Sequence, residues 1–129
     1  MVLPFDSFEE GEVVCCLASA LGLTPEQILQ GRKDAVVPQA GRADDAWDWS
    51  FRVDGRRILF DYDGGYFHDA GRCARDTTKS LDALAHDPAT LVVRARVGAA
   101  PLAIDHACVK ILAFPRDAEA ARIAEAVLV

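Results

Sequence analysis

Before Arg32 the chain has no lysine or arginine, and between Arg32 and Arg96 it has no glutamate. The first absence removes the cationic start of a secretory signal peptide. No run approaches the ~18 apolar residues of a membrane span. An intracellular, cytoplasmic protein without a membrane partner is therefore expected. The four cysteines, Cys15, Cys16, Cys73 and Cys108, contain no C-x-x-C pair. Adjacent Cys15 and Cys16 are poor geometry for one zinc ion, so neither a zinc site nor a disulfide framework is indicated. They read as small apolar residues, mostly buried. Internal repeats and low-complexity tracts are also missing. With 129 residues, half of them apolar, the chain suits one domain over 1–129 with a single core.

The net charge of −6 speaks against a nucleic-acid partner at the level of the whole chain, because a basic stripe is the usual footprint. Its distribution tempers that. Eleven of the fourteen basic residues lie from Arg32 to Arg96, balanced there by eleven aspartates. Local basic groups beside an acidic face matter more to a phosphate than the total.

The strongest local signal is Asp54-Gly55, a two-residue hairpin turn between runs that alternate apolar and polar, Trp47 to Val53 and Arg56 to Tyr62. Pairing Val53 with Arg56 sets Phe51 against Ile58, Trp49 against Phe60 and Trp47 against Tyr62 on an aromatic core face. It sets Ser50 against Leu59 and Asp48 against Asp61 on the other. Opposed side chains lie ~5 Å apart at Cβ, and like charges there destabilise, so Asp48 and Asp61 ask for a cation or a shared proton. Asp63 adds a third acid on that face. The plainer alternative is a solvated acidic surface, with the hairpin in a shifted register.

Around the hairpin the sequence predicts a framework. Ser7-x-x-Glu10 is a capping-box pattern opening a helix whose stripe is Val13, Cys16, Leu17, Ala20 and Leu21, ending at Gly22. Glu10 either extends that stripe inward or simply favours the helix start. Thr24-Pro25-Glu26-Gln27 starts a second helix, closed by Gly31. A short strand is expected at Ala35 to Val37. A helix follows from Gly71 or Arg72 to Ala85, with Cys73, Thr77, Leu81 and Leu84 inward and Arg72, Arg75 and Lys79 on an adjacent stripe. Asp76 is within helical reach of Arg72 or Lys79. Leu91 to Val97 and Ala107 to Phe114 read as strands. Asp117 caps a last helix in which Ile123 and Val127 pack inward. The order α, α, β, β, β, α, β, β, α describes an α/β protein with a mixed sheet of about five strands flanked by helices.

Asp61-Tyr62-Asp63-Gly64, then Tyr66-Phe67-His68, then Arg75-Asp76-x-x-Lys79, then a strand ending Arg94-Ala95-Arg96, form a succession. It resembles the very-short-patch-repair-endonuclease-like branch of the PD-(D/E)XK nuclease superfamily, over about Trp47 to Val97. One departure is Asp61, where the small relatives more usually carry Glu, one methylene longer. The resemblance implies a restriction-endonuclease-like fold and a metal-dependent nucleic-acid phosphodiester hydrolase, a DNA endonuclease or nickase. It implies Asp48, Asp61 and Asp63 as ligands of Mg²⁺ or Mn²⁺, which takes hard oxygen donors. Asp63 stands where the usual lysine would be and serves a second metal or accepts a proton from water. His68 stands where relatives place a catalytic histidine, as general base or acid, or else is a strand-end histidine bonded to backbone. Gly64 and Gly65 bend the strand end. Arg75, Lys79, Arg94 and Arg96 contact phosphate; the plainer readings are a solvated face for Lys79 and snorkelling for the two strand arginines. The alternative to an enzyme is a catalytically degenerate nuclease-fold module that binds nucleic acid or a protein. So small a domain leaves target choice to a protein partner or fused recognition domain.

Overall fold

The computed structural model describes residues 7–64, 70–99 and 102–129. The first helix, α1 (Phe8–Leu21), starts where Ser7 Oγ accepts the Glu10 N–H at 3.1 Å and stops at Gly22, whose φ of 69° is left-handed. Helix α2 (Pro25–Lys33) opens on a reciprocal Thr24–Gln27 capping box. Its Gly31 lies inside the helix rather than closing it. A Cβ there would run into Trp49 Nε1 and the Ser50 carbonyl, so this glycine lets α2 press on the sheet.

Strands β1 (Val36–Val37) and β2 (Asp45–Ala46) form a small antiparallel sheet of their own. The main sheet has four strands, not five, in the order β3 (Trp49–Val53), β4 (Arg56–Gly64), β5 (Leu91–Val97), β6 (Val109–Phe114). The β3–β4 turn places both Asp54 (φ 51°) and Gly55 (φ 79°) in the left-handed region that matches the twist of the flanking strands. The expected pairings Val53–Arg56, Phe51–Ile58 and Trp49–Phe60 are present. Helix α3 (Ala70–His86) carries the chain over to β5, which runs parallel to β4, and β6 runs parallel to β5. Helix α4 (Ala120–Val127) ends the fold; its N-cap position is Glu119, not Asp117, and carries no side-chain cap.

Sheet alternation divides the interior in two. On one side Trp49, Phe51, Ile58, Phe60, Val93, Ala95 and Val97 pack against Val13, Val14 and Leu17 of α1 and Ile123, Ala124 and Val127 of α4. The Trp49 and Phe51 rings stack at 4.9 Å, worth about 0.5–1.5 kcal/mol beyond the area they bury. On the other side Leu59 and Val92 meet Ala83 and Leu84 of α3.

Three expectations need correction here. Trp47 does not share a face with Trp49: its backbone N–H donates to the Ala35 carbonyl at 2.7 Å, and its ring is buried with Leu59 and Val92. The inward face of α3 carries Asp76, Ser80, Ala83 and Leu84, while Leu81 is exposed. None of the cysteines is fully buried, and Cys15 is exposed.

Candidate functional site

Backbone pairing of β3 with β4 stops at Trp49 and Phe60, and two carboxylates continue the bonding. The Asp48 N–H donates to Asp61 Oδ1 at 2.8 Å, and the Tyr62 N–H donates to Asp48 Oδ2 at 2.7 Å. The chain turns out of the strand at Asp48, which explains the reversal of Trp47. Glu10 reaches the same place from the first turn of α1 and is almost fully buried. Burial, with Asp61 and then Glu10 close by, pushes the Asp48 carboxyl up to about 9. Arg32 partly balances these acids. Its Nη1 lies 3.8 Å from Glu10 Oε1 and 3.9 Å from Asp48 Oδ1, and donates to the Asp48 carbonyl at 3.0 Å.

One strand further in, parallel register places Asp61 beside Arg94 and Asp63 beside Arg96. Both guanidiniums are buried, and both are shared. Arg94 Nη1 meets Asp63 Oδ1 and Oδ2 at 3.1 Å and Asp61 Oδ2 at 3.2 Å, while its Nε donates to Ser80 Oγ at 2.8 Å. Arg96 Nη1 donates to Asp63 Oδ2 at 3.0 Å and Asp76 Oδ2 at 2.9 Å. Burial raises the Asp63 carboxyl above the usual range and the Arg94 charge opposes it. Lys79, from α3, donates to Asp61 Oδ2 at 2.7 Å. The Trp47 ring lies 4.4 Å from the Lys79 ammonium and 4.8 Å from the Arg94 guanidinium, a cation–π contact with each.

These groups floor an open cleft of about 1080 Å³. Arg42, Arg72, Arg75 and Arg116 stand among its lining residues. Of the residues singled out in the sequence, Asp48, Asp61, Asp63 and Lys79 come together. Arg75 lies exposed on α3 in the same cleft. Arg94 and Arg96 join the cluster from beneath, with side chains 0% and 2% exposed, so neither reaches solvent or a phosphate. His68 and Gly65 lie outside the described residues. Asp76, within helical reach of Arg72 and Lys79, is buried and bound to Arg96. Phasing α3 on Cys73, Asp76, Ser80 and Leu84 would have found it. Nothing in the sequence pointed to Arg32.

The carboxylate oxygens of Asp48 and Asp61 are of the hard kind that a divalent cation takes, and such an ion would replace the proton that burial holds on Asp48, with water in its remaining positions. Asp63 fits poorly, since both of its oxygens are engaged by guanidiniums. Among the described residues no group of three or more His, Cys, Asp or Glu side chains is set to hold a metal ion. Nor is any helix there long and apolar enough to cross a membrane. Comparison with protein-family models, curated proteins and solved structures found no match.

Proposed function

We propose that this chain is a metal-dependent nucleic-acid phosphodiester hydrolase, a DNA endonuclease or nickase, on a restriction-endonuclease-like fold. One observation carries the reading: at the end of a hairpin the Asp61 carboxylate takes the Asp48 N–H and the Asp48 carboxylate takes the Tyr62 N–H, with Lys79 on Asp61, on the floor of a cleft that includes four arginines in its lining. The architecture agrees with it, since a helix, a hairpin, a crossover helix and a parallel strand come in the order the resemblance implies.

Asp48 and Asp61 would hold Mg²⁺ or Mn²⁺, with Glu10 beside them. Such an ion, when bound, lowers the pKa of a water and offsets charge building on the phosphate. The rest falls to the chain. Arg75, with the other cleft arginines, holds the nucleic-acid backbone. Arg94 and Arg96 act through Asp63, fixing it and the end of β4 rather than touching substrate. Asp63 is thereby a positioning residue rather than a ligand. His68 follows Asp63 by five residues in sequence and is proposed as the general acid or base. Target choice falls to a partner protein or fused domain, and the setting is intracellular.

A second reading has its own support. The described residues lining the cleft include nine acids against five bases, and Lys79, Arg94 and Arg96 already satisfy Asp61 and Asp63. That pattern suits a catalytically degenerate module that binds nucleic acid or a protein. The two are separated by incubating the chain with supercoiled plasmid, linear duplex and RNA in Mg²⁺ or Mn²⁺, beside Asp61→Ala. Nicking that the variant lacks supports the hydrolase; no cleavage of any substrate leaves the binding module.

A further inference from the structure

Of Lys79, Arg94 and Arg96, which touch Asp61 and Asp63 among the described residues, two are locked. Arg94 has no exposed side-chain surface, and its other nitrogens bond to Ser80 Oγ at 2.8 Å and the Asp76 carbonyl at 3.2 Å. Arg96 is held by Asp63, Asp76 and the Cys73 sulfur at 3.2 Å. Lys79 differs. Its side chain is 22% exposed at the cleft, and its hydrogen bond among the described residues is the one to Asp61 Oδ2. A lysine ammonium is a compact charge on a flexible stem, able to leave one acceptor for water at little cost.

The acceptors on Asp61 are few. Oδ1 takes the Asp48 N–H at 2.8 Å, and Oδ2 takes Lys79 at 2.7 Å with Arg94 at 3.2 Å. A cation sharing Asp61 with Asp48 therefore competes with a group already bonded to that carboxylate, and Lys79, whose ammonium otherwise meets the Trp47 ring at 4.4 Å, is the one placed to yield.

We infer that the Lys79 ammonium is a built-in place-holder for a divalent cation: it neutralises Asp61 while none is bound and is released into the cleft when one binds. The inference rests on Asp48 and Asp61 being the metal pair. The sign of its consequence is unusual for a cleft lysine. Removing Lys79 leaves Asp61 less balanced, so the metal-free protein loses stability while a divalent cation binds more tightly, from loss of both the competition and the like-charge repulsion.

The test is calorimetric titration of Mn²⁺ into the full chain at constant ionic strength, for wild type, Lys79→Met, Lys79→Gln and Arg75→Met, with melting curves in chelator. The glutamine variant keeps a polar head should methionine disturb α3. Expected is a Kd about tenfold lower in both Lys79 variants, within the usual range for coupled sites, with a lower melting temperature in chelator. Arg75→Met removes the same charge from the same helix but from an exposed position, so screening should hold its effect below about threefold. Binding seen in the Lys79 variants alone would support the place-holder further. Equal or weaker Mn²⁺ binding in them than in wild type overturns it while the metal pair stands. So does an equal gain in Arg75→Met, which would signal only the general field. Mn²⁺ binding by none of the four proteins removes the metal pair, and the place-holder with it.

Discussion

Asp63 and Arg96 are register partners in adjacent parallel strands, and their side chains meet at 3.0 Å with almost no exposure of either. Asp63 also meets Arg94, and Arg96 also meets Asp76, so the pair is the link between two further buried charges. Desolvating one ion alone costs several kcal/mol, so truncating either partner leaves the buried cluster with one unbalanced charge.

Arg96→Met should accordingly destabilise the domain by about 3–5 kcal/mol. Asp63→Leu should do likewise, and the double variant should cost less than the sum of the two, because the direct pair is lost only once even though Arg94 and Asp76 each then lack a partner. Urea unfolding of the three variants and wild type checks this. Additive losses in the double variant would mean that the pair is not energetically coupled.

The contrast between the hairpin and this network shows what the sequence can reveal. Asp54-Gly55 fixed the register of Trp49–Phe60 because turn chemistry is local and allows few alternatives. Trp47 escaped the same reasoning because side-chain carboxylates of Asp48 and Asp61 replace the ladder beyond Trp49, and a count of alternation cannot see that substitution. Arg94 and Arg96 read as surface residues since burying a guanidinium depends on partners distant in the chain. Asp63 is 31 residues from Arg94, and Asp76 is 20 from Arg96. Gly31 looked like a helix terminator and is a packing notch for Trp49, which only the tertiary arrangement discloses.

Asp48 gives the metal-free protein a pH dependence of definite sign. Its carboxyl titrates at about 9 in the folded chain, burial being the main cause, and near 4 when unfolded. Between those values the folded state holds a proton that the unfolded state has released. The contribution of Asp48 to stability is thus most favourable below about pH 4 and declines as pH rises towards 9. Melting temperatures in chelator from pH 5 to 9 should fall more steeply for wild type than for Asp48→Asn, which cannot titrate. Parallel curves would show that Asp48 is not a strongly raised acid.

Asp48→Ala and Asp61→Ala should each abolish cleavage while the domain still unfolds cooperatively, because they remove ligands at the cleft floor and Arg94 keeps Asp63 when Asp61 is lost. His68→Ala should lower the rate by roughly 10²-fold and change the pH profile, with Mn²⁺ affinity kept. Plasmid-nicking rates across pH check all three. Wild-type rates in either aspartate variant would remove the catalytic assignment, and an unchanged profile would leave His68 a bystander.

The remaining prediction concerns where the nucleic acid lies. Arg75 is exposed on α3 and lines the cleft, whereas Arg94 sits beneath the same surface with no exposure, so of these two Arg75 is the one able to release counterions from a phosphate. Each phosphate neutralised on duplex DNA adds about 0.9 to the slope of log affinity against log salt. Arg75→Ala should therefore weaken binding to all duplex sequences alike and lower the magnitude of that slope by about 1. Arg52, exposed on β3 near the hairpin turn and bonded to the Gly55 carbonyl at 3.0 Å, lies outside the cleft lining and serves as the control. Its removal takes away the same net charge, so a long-range field effect would appear equally in both variants. Fluorescence-anisotropy titrations from low to moderate salt, with chelator present so that cleavage does not intervene, give both slopes. A slope change confined to Arg75→Ala places the nucleic acid over α3 and the Asp48–Asp61 pair. Equal changes in the two variants, or none, would put the phosphate backbone elsewhere on the protein and separate the acidic cluster from any nucleic-acid role.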